Sequence, residues 1–220
     1  MIAVLFTRRP AAETGVDLSM SVGAARYVVM DTELTGMDAR RDSIISVGAV
    51  GMQGGRIALG DTFYEMVSPE TKLTSESIVV HGIMPSEVAD KPSIQTVIDD
   101  FLKFCRGAVM VGHFVSLDLA FLNKVMKRLY GRRFPQPAAD TGRISDWMQD
   151  HDNGFRRNYG CSDGNKDLFS LAKKHHIPVS EAHNALMDAF ITAQLFQRFL
   201  GFLPELGVRT VKDLLRIAKP

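Results

Sequence analysis

The chain has 220 residues, a length that suits one domain built around one hydrophobic core. Hydrophobic residues make up 45% of it and charged residues 23%, values that exclude a disordered or fibrous protein. The formal net charge is only +1, so any contact with nucleic acid would depend on local basic residues or bound cations and not on a strongly basic chain.

Cysteine content and apolar runs bear on the cellular location. Cys105 and Cys161 belong to no C-x-x-C pair, which predicts neither a disulfide framework nor a cysteine-zinc site. The apolar start at residues 1–6 is stopped by Arg8 and Arg9, well short of a signal-peptide core of about 7 to 15 residues. No apolar run approaches the roughly 18 residues of a membrane span. We therefore expect a cytoplasmic protein without a membrane partner.

The first part of the chain predicts an N-terminal extension followed by three strands. Residues 1–25 hold a proline and two glycines among small residues, a composition typical of an extension that leads into a domain. The Gly54-Gly55 pair indicates a hairpin between the second and third strands. Short apolar or alternating runs predict the three strands at residues 27–30, 44–50 and 57–67.

From Ser93 onwards the apolar residues recur at helical spacing. Ser93 is a suitable N-cap for a helix that ends near Cys105; a buried strand at residues 108–111 and a second helix ending near Gly131 follow. Prolines and glycines in residues 135–166 predict a mobile or functional loop. Further helical segments are predicted at residues 168–175, 185–200 and 211–218. This order of elements describes a mixed α/β fold whose first three strands are antiparallel.

Two carboxylates stand at the end of the first predicted strand. Asp31 and Glu33 are two residues apart, so both side chains point to the same face. Hard oxygen ligands of this kind suit a two-metal phosphodiesterase site, where two cations lie roughly 4 Å apart. Taken alone, such a pair is more often a solvated strand end. The glycine-containing loop after it, at the carboxyl edge of a buried strand, favours a ligand site.

Three further residues follow in an order that suits the same site. Asp118 heads the second predicted helix, where a carboxylate can also serve only to stabilise the helix start. His183 and Asp188 are five residues apart, which turns a helix by about 500° and leaves the side chains about 140° apart. They converge on one centre only if His183 lies in the loop before the helix and Asp188 in its first turns. The alternative for His183 is a capping or surface residue.

Three ordered motifs together resemble the DnaQ-like DEDDh 3′-to-5′ exonucleases, the family of the proofreading epsilon subunit of bacterial DNA polymerase III. The segment from Asp31 to Met37 is similar to the first motif, the segment from Gly112 to Leu122 to the second, and that from His183 to Asp188 to the third. The resemblance covers about residues 26–200. It implies a ribonuclease H-like α/β fold, in which a mixed five-stranded sheet is flanked by helices. The implied domains are an extension at 1–25, an exonuclease domain at 26–203 and a helical tail at 204–220.

The resemblance also implies a metal site and a mechanism. Two divalent cations, Mg²⁺ or Mn²⁺, would bind the scissile phosphate. Asp31, Glu33 and Asp188 would ligate the catalytic cation, Asp31 would bridge to the second, and Asp118 would hold the second. His183 would act as the general base on the attacking water, and the product would be a nucleoside 5′-monophosphate. Clustered carboxylates repel one another, so the metal-free site should be strained.

Substrate contacts are implied for residues around these motifs. Leu34, Thr35 and Met37 would press on the terminal base, although Met37 could instead pack into the core. His81 would contact the phosphate or sugar of the terminal nucleotide. His113 and Leu117 complete the implied substrate-binding set. The family commonly has Asn after the histidine of the second motif and an aromatic residue just before the aspartate. Phe114 and Leu117 depart from this pattern and leave the nucleotide preference open.

Several alternatives remain open from the sequence. The favoured substrate is a single-stranded 3′ end of DNA in proofreading or repair, but an RNA-trimming enzyme would carry the same motifs. A non-catalytic subunit bound to a DNA polymerase is the third alternative, although such a protein would usually have lost one of the five residues. Asp140 and Asp146 are interpreted as structural, and His175 and His176 as helix-end cations. Nine basic residues are candidates for phosphate contacts, and we expect two or three of them to make such contacts: Arg40, Arg41, Lys124, Lys127, Arg128, Arg132, Arg133, Arg156 and Arg157.

Overall fold

A mixed five-stranded sheet forms the centre of the protein in the computed structural model, which describes residues 14–160, 165–179 and 183–220. The strand order is β3-β2-β1-β4-β5, with β1 antiparallel to β2, β2 antiparallel to β3, and β4 parallel to both β1 and β5. The strands are β1 (Arg26–Leu34), β2 (Ile44–Gln53), β3 (Arg56–Met66), β4 (Val109–Gly112) and β5 (Ala138–Asp140). The ribonuclease H-like five-stranded sheet is therefore confirmed.

Helices connect the strands and cover the sheet. They are α1 (Ser75–His81), α2 (Pro85–Val88), α3 (Ile94–Phe104), α4 (Ser116–Tyr130), α5 (Thr141–His151), α6 (Asn153–Tyr159), α7 (Leu168–Lys174), α8 (Ala185–Phe202) and α9 (Val211–Ile217). Within the described ranges, none of these helices combines the length and the apolar character needed to cross a bilayer. Cys161 lies outside the described residues.

The alternation of side chains along β1 divides the core into two layers. Tyr27 and Val29 face a layer that includes Phe196 of α8, and the Tyr27 and Phe196 rings meet edge to face at 4.9 Å. Val28 and Met30 face the other layer, which includes Phe101 of α3 and residues of α4. Strand β2 pairs with β1 from Arg26 to Leu34, and β4 pairs with β1 from Tyr27 to Val29. Because the strand is also buried on both faces, the sheet holds its carboxyl end in place.

The prediction of a loop at residues 135–166 is wrong, because this region contains β5, α5 and α6. Asp140 caps α5 by accepting hydrogen bonds from the backbone N–H groups of Gly142 and Arg143, as its structural interpretation requires. Asp152 caps α6 in the same way through Gly154 and Phe155. Of the glycines that suggested a loop, Gly154 therefore lies in the first turn of a capped helix and Gly160 follows the last turn of the same helix, whereas Gly164 lies outside the described residues.

The interpretation of His175 as a cation at a helix end is also wrong. His175 lies at the end of α7, but its ring is buried and stacks on Tyr159 at 4.3 Å with an angle of 7° between the planes. Burial, with a smaller contribution from Arg198, lowers the pKa of His175 to about 4. The ring is therefore neutral at pH 7 and acts as a core side chain.

The two ends of the described chain pack against each other. Ser21 forms an isolated bridge with Thr210, and the N–H of Val211 donates to the carbonyl of Met20 at 2.9 Å. Val22, Val211 and Leu214 are buried in the same layer as Tyr27 and Phe196. Helix α9 also contacts α5 and β5. We propose that α9 contributes to the stability of the domain formed around the sheet.

Shortening a buried side chain of α9 tests this contribution. We expect Leu214→Ala to lower the free energy of unfolding by about 2–5 kcal/mol, because it leaves a cavity in the layer shared with β1 and α8. Urea unfolding monitored by circular dichroism measures the change. The exposed Lys212→Ala in the same helix is the matched control and should change stability by less than about 0.5 kcal/mol. Equal stabilities for Leu214→Ala and the unsubstituted protein would contradict the proposal.

Candidate active site

Three carboxylates from two elements meet at the carboxyl end of β1. Asp31 and Glu33 point to the face covered by α8, and Asp188 lies in the first turn of that helix. One oxygen from each of the three lies within 4.8 Å of the others. Asn184 begins α8 by accepting hydrogen bonds from the N–H groups of Leu186 and Met187. The cap therefore fixes where the helix starts and hence where Asp188 points.

Gly48 allows the start of α8 to lie directly against β2. It lies opposite Asp31 in the antiparallel pair of β1 and β2. A Cβ atom at Gly48 would lie 2.2 Å from the carbonyl carbon of Ala185 and from the nitrogen of Leu186. These are backbone atoms of the helix start and cannot move aside separately from the helix. The absence of a side chain at Gly48 thus sets the distance between Asp188 and Asp31.

His183 lies in the loop immediately before α8, the position that the helix geometry required. Its φ of 68° is left-handed, and its N–H donates to Oδ2 of Asp188 at 3.1 Å. The side chain is exposed and meets the ring of Phe169 edge to face at 5.3 Å. Oδ1 of Asp188 is buried and has no hydrogen-bond partner within the described ranges. One oxygen of Asp188 thus orients the histidine segment, and the other is available to a metal ion.

Asp118 approaches the same end of β1 from the opposite face of the sheet. It is buried in the first turn of α4 and accepts a hydrogen bond of 2.5 Å from Oγ1 of Thr32. Thr32 lies between Asp31 and Glu33, so its side chain points away from theirs. Asp118 is outside the group of three but close enough to Asp31 to raise its pKa. The four carboxylates therefore form one electrostatic unit.

Burial raises the pKa of every carboxyl group in this unit, and repulsion from neighbouring carboxylates of the unit adds to it for Asp31 and Glu33. Burial is the largest cause for each of them. The pKa of Glu33 rises to about 7, with repulsion from Asp188 and Asp118 adding to burial. That of Asp118 rises to about 7, and that of Asp188 to about 6. The pKa of Asp31 also lies well above its usual range, since the other three carboxylates surround it.

The donor set fits a hard divalent cation. Among the ion pairs of the described chain, none joins Asp31, Glu33, Asp118 or Asp188 to a lysine or arginine. A cation would supply the missing countercharge and would bind the unpaired oxygen of Asp188. Oxygen-only ligands suit Mg²⁺ or Mn²⁺ more than softer metals. The site could therefore hold metal ions and polarise a phosphate.

The residues of the first-motif loop differ in their access to a ligand. Thr35 is fully buried, and its hydroxyl accepts from the N–H of Ser43 at 2.9 Å, which argues against the predicted base contact. Leu34 is half-buried beside the core. Met37 is 76% exposed, so the alternative that it packs into the core is wrong. Of these three side chains, Met37 is the most accessible to a terminal base.

His81 has one ring nitrogen engaged and the other unpaired. Its Nδ1 accepts from the N–H of Ile83 at 3.0 Å, so the proton of the neutral ring is on Nε2. Nε2 is buried and has no hydrogen-bond partner in the described part of the chain. Burial and the nearby His183 lower the pKa of His81, which keeps the ring neutral. His81 therefore offers an unused donor beside the site, as the predicted phosphate or sugar contact requires.

His113 and Leu117 are tied into the fold more firmly than His81. Nδ1 of His113 lies 2.8 Å from Oγ1 of Thr141, and Nε2 lies 2.8 Å from the carbonyl of Lys166. Burial lowers the pKa of this histidine, and the carbonyl requires the proton on Nε2. Leu117 packs partly buried against the layer under α4. Substrate contacts by these two residues stay predictions.

The structure brings two residues to the site that sequence reasoning missed. Phe114 has a left-handed φ of 51°, is 51% exposed, and rests on the His113 ring at 4.3 Å. A Cβ atom at Gly142 would lie 2.8 Å from the Phe114 ring, so glycine is needed there. Tyr64 pairs with Gly48 in the sheet and hydrogen-bonds the Asn184 side chain. The only sequence signal that pointed to Phe114 was its departure from the family pattern, and no sequence signal pointed to Tyr64.

Residues 28–196 match the exonuclease family, and the chain belongs to it. This confirms the resemblance to the DnaQ-like exonucleases. Among its relatives is the DNA polymerase III subunit epsilon of Aquifex aeolicus, 29% identical over 174 residues that cover 79% of this chain and 80% of the relative. The PolC-type DNA polymerase III of Thermotoga maritima is 30% identical over 192 residues, which are 87% of this chain but only 13% of that protein.

Solved structures show the same fold. The structure of exonuclease X in complex with 5′ overhanging duplex DNA matches with a TM-score of 0.62 at 23% identity, over 88% of this chain and 98% of that one.

The raised pKa values predict how stability depends on pH. We expect the free energy of unfolding of the metal-free protein to fall as the pH rises from about 5 to about 7. The carboxyl pKa values are near 4 in the unfolded chain but about 6 to about 7 in the folded one for Asp188, Glu33 and Asp118, so the folded state binds more protons in this window. Urea unfolding in EDTA across this range measures it.

Glu33→Gln provides the comparison for the pH series. Because the amide cannot ionise, the difference in stability between this variant and the unsubstituted protein should grow in favour of the variant as the pH rises. A difference that stays constant between about pH 5 and about pH 8 would contradict a raised pKa of Glu33.

Substituting Gly48 tests the close approach of α8. We expect Gly48→Ala to weaken Mn²⁺ binding and to lower the free energy of unfolding by about 1–3 kcal/mol, because the added methyl group displaces the helix start that carries Asp188. Isothermal titration calorimetry and urea unfolding measure the two effects. Gly60→Ala in β3 is the matched control, since a Cβ atom there meets nothing within 4 Å. Unchanged Mn²⁺ affinity in Gly48→Ala would rule out this role.

Proposed function

We propose that the protein is a metal-dependent 3′-to-5′ exonuclease that removes nucleotides from single-stranded 3′ ends of DNA and releases nucleoside 5′-monophosphates. The observation that carries this proposal is the convergence of Asp31, Glu33 and Asp188 within 4.8 Å, with His183 tied to Asp188 and Asp118 beside Asp31. Membership of the exonuclease family supports phosphodiester hydrolysis. The similarity to an epsilon subunit supports a DNA substrate and a role in proofreading or repair.

The four carboxylates would hold two divalent cations, Mg²⁺ or Mn²⁺. Asp31, Glu33 and Asp188 would ligate one of them, in agreement with the distances between their oxygens. Asp118, with Asp31 as the bridging ligand, would hold the other. When bound, the cations would neutralise the charge of the scissile phosphate and lower the pKa of a water ligand.

The protein's own residues would position the reacting groups. His183, exposed and tied through its backbone to Asp188, would take a proton from the water that attacks phosphorus. The new bond joins that water oxygen to phosphorus, the bond from phosphorus to the 3′ oxygen of the preceding nucleotide breaks, and solvent returns a proton to that oxygen. His81 would donate its free Nε2–H to the phosphate or sugar, and Met37 and Leu34 would press on the base.

A DNA polymerase subunit is the second proposed partner, because the relatives include subunits or domains of DNA polymerase III. The segment Gln194-Leu195-Phe196, which superficially resembles a partner-binding motif, does not supply the contact. Leu195 and Phe196 are fully buried in α8 and so are not accessible to a partner. Such a partner would therefore bind elsewhere on the surface.

Release of mononucleotides from end-labelled oligonucleotides tests the proposed activity. With Mg²⁺ or Mn²⁺, a 3′ label should be released at once as a mononucleotide, whereas a 5′ label should stay on progressively shorter strands. Asp31→Asn should lower kcat about 10³-fold or more, and His183→Ala about 10²-fold to 10⁴-fold, because they remove a metal ligand and the general base. EDTA should abolish release.

Asp90→Asn is the control for these variants, because Asp90 is an exposed carboxylate outside the site. Full activity in Asp31→Asn or His183→Ala, or release of the 5′ label first, would refute the proposal. An RNA oligonucleotide of the same sequence is run in parallel, and faster release from it would replace DNA by RNA as the substrate. Binding of oligonucleotides without hydrolysis at any metal concentration would favour a non-catalytic subunit.

A further inference from the structure

The exposed face of α4 carries a wide, open groove. Ser116, Ala120, Asn123 and Lys127 recur at intervals of three and four residues, so they form one stripe along the helix, about 16 Å long. Ala39 and Arg40, from the loop after β1, and Arg133, from the segment after α4, lie along this stripe. Pro220, from the segment after α9, also lines the groove, so four separate parts of the chain bound it.

The charge of this groove differs from that of the whole protein. Arg40, Lys124, Lys127 and Arg133 line it, and within the described residues no aspartate or glutamate does. The formal net charge of the chain is only +1, so four basic side chains without an acidic neighbour in the lining are a local feature. A surface of this kind attracts a polyanion.

The partners of the basic residues show which of them are available. Nζ of Lys124 donates to the carbonyl of Asp42 at 2.8 Å and so holds the loop after β1. No hydrogen bond or ion pair is found for the side chains of Arg40, Lys127 and Arg133 anywhere in the described ranges. Other candidates from the sequence are engaged, Arg128 by Glu70 and Arg156 by Asp150. Three unpaired cations therefore share one groove.

One end of the groove lies close to the carboxylates along the chain. Ser116 lines it two residues before Asp118 in the first turn of α4, and Ala39 and Arg40 line it from the loop that follows Asp31 and Glu33. A strand whose last phosphodiester bond lies on the carboxylates must leave the site across a neighbouring surface. An acidic surface would repel the phosphates of that strand, whereas the α4 groove offers them cations.

We propose that the α4 groove binds the phosphates of the single strand upstream of the 3′-terminal nucleotide, through Arg40, Lys127 and Arg133. This inference rests on the proposed exonuclease function. These cations contact phosphates and carry no base readout, so they set affinity and its salt dependence without setting sequence preference. They lie away from the reacting atoms and should therefore affect KM and leave kcat unchanged.

The experiment compares a substrate with an upstream strand and one without. The variant Arg40→Gln/Lys127→Gln/Arg133→Gln is assayed on the p-nitrophenyl ester of thymidine 5′-monophosphate and on oligothymidylates of about 2 to about 12 nucleotides.

For the unsubstituted protein, KM should fall as the oligothymidylate becomes longer. For the variant, KM on the longest strand should rise about tenfold or more and lose its length dependence. The slope of log KM against log salt should fall by about 2, since each lost phosphate contact removes about 0.7. Hydrolysis of the ester should not change.

A charge-matched control separates the groove from general electrostatics. Three exposed basic residues lie at the opposite end of the sheet: Arg56 at the start of β3, Arg106 in the turn before β4, and Lys212 in α9. Arg56→Gln/Arg106→Gln/Lys212→Gln changes the net charge equally and should leave KM and the salt slope unchanged. If both triple variants raise KM equally, the groove is not the binding surface and the proposal is overturned.

A binding measurement separates failure of this inference from failure of the proposed function. Fluorescence anisotropy with a 5′-labelled oligothymidylate and Asp31→Asn protein should show about tenfold weaker binding when the three groove substitutions are added. An unchanged affinity and KM would overturn the groove proposal. If association with a polymerase subunit weakened instead, the groove would be a protein-binding surface.

An unsubstituted protein that hydrolyses neither the ester nor the oligonucleotides would refute the exonuclease function and not the groove proposal alone. If the triple variant loses ester hydrolysis, the single variant Lys127→Gln, read for length and salt dependence, decides in its place.

Discussion

The burial of four carboxylates close together at the end of β1 is the constraint on which the rest of the structure depends. Asp31, Glu33, Asp118 and Asp188 share no basic partner in the described chain, and their raised pKa values show that ionising all of them together is unfavourable. Such an arrangement persists only where the surrounding structure holds it. Here β1 is paired with β2 along its length and with β4 at its first half. Helix α8 packs on one face of β1, and Val28 and Met30 on the other face lie in the same buried layer as residues of α4. The rigid centre of the fold therefore maintains a charge cluster that has no counterion of its own.

A few contacts at the starts of α8 and α4 set the distances between the carboxylates of the site. Gly48 lets the first turn of α8 lie against β2, and Asn184 fixes the residue at which that helix begins. On the other face, the hydroxyl of Thr32 holds Asp118. These contacts involve few atoms, but each sets where a carboxylate points. The same segments that pack the core thus determine the geometry of the site.

Much of the fold and the members of the site could be predicted from the sequence, because long amphipathic patterns and the helical rotation between His183 and Asp188 are local properties. What could not be predicted depends on contacts between distant residues. The three residues of β5 become a strand by pairing with β4, and the glycines of α5 and α6 are helical because aspartates cap them. Phe114 combines a left-handed backbone with a ring that packs against Gly142, a contact between residues far apart in sequence.

The roles of the basic residues also depend on contacts between distant residues and could not be predicted from the sequence. Their positions explain why the chain is nearly neutral. Nine arginines and lysines were equal candidates in sequence, and their partners in space distinguish them: Glu70 neutralises Arg128, and the Asp42 carbonyl engages Lys124. The acidic centre and the basic α4 groove are each short of opposite charge, and their contributions cancel in a net charge of +1. A substrate that is itself an anion, bound beside divalent cations, would satisfy both surfaces at once. Net charge therefore could not identify a nucleic-acid enzyme here, whereas the separation of unpaired charges within the fold does support one.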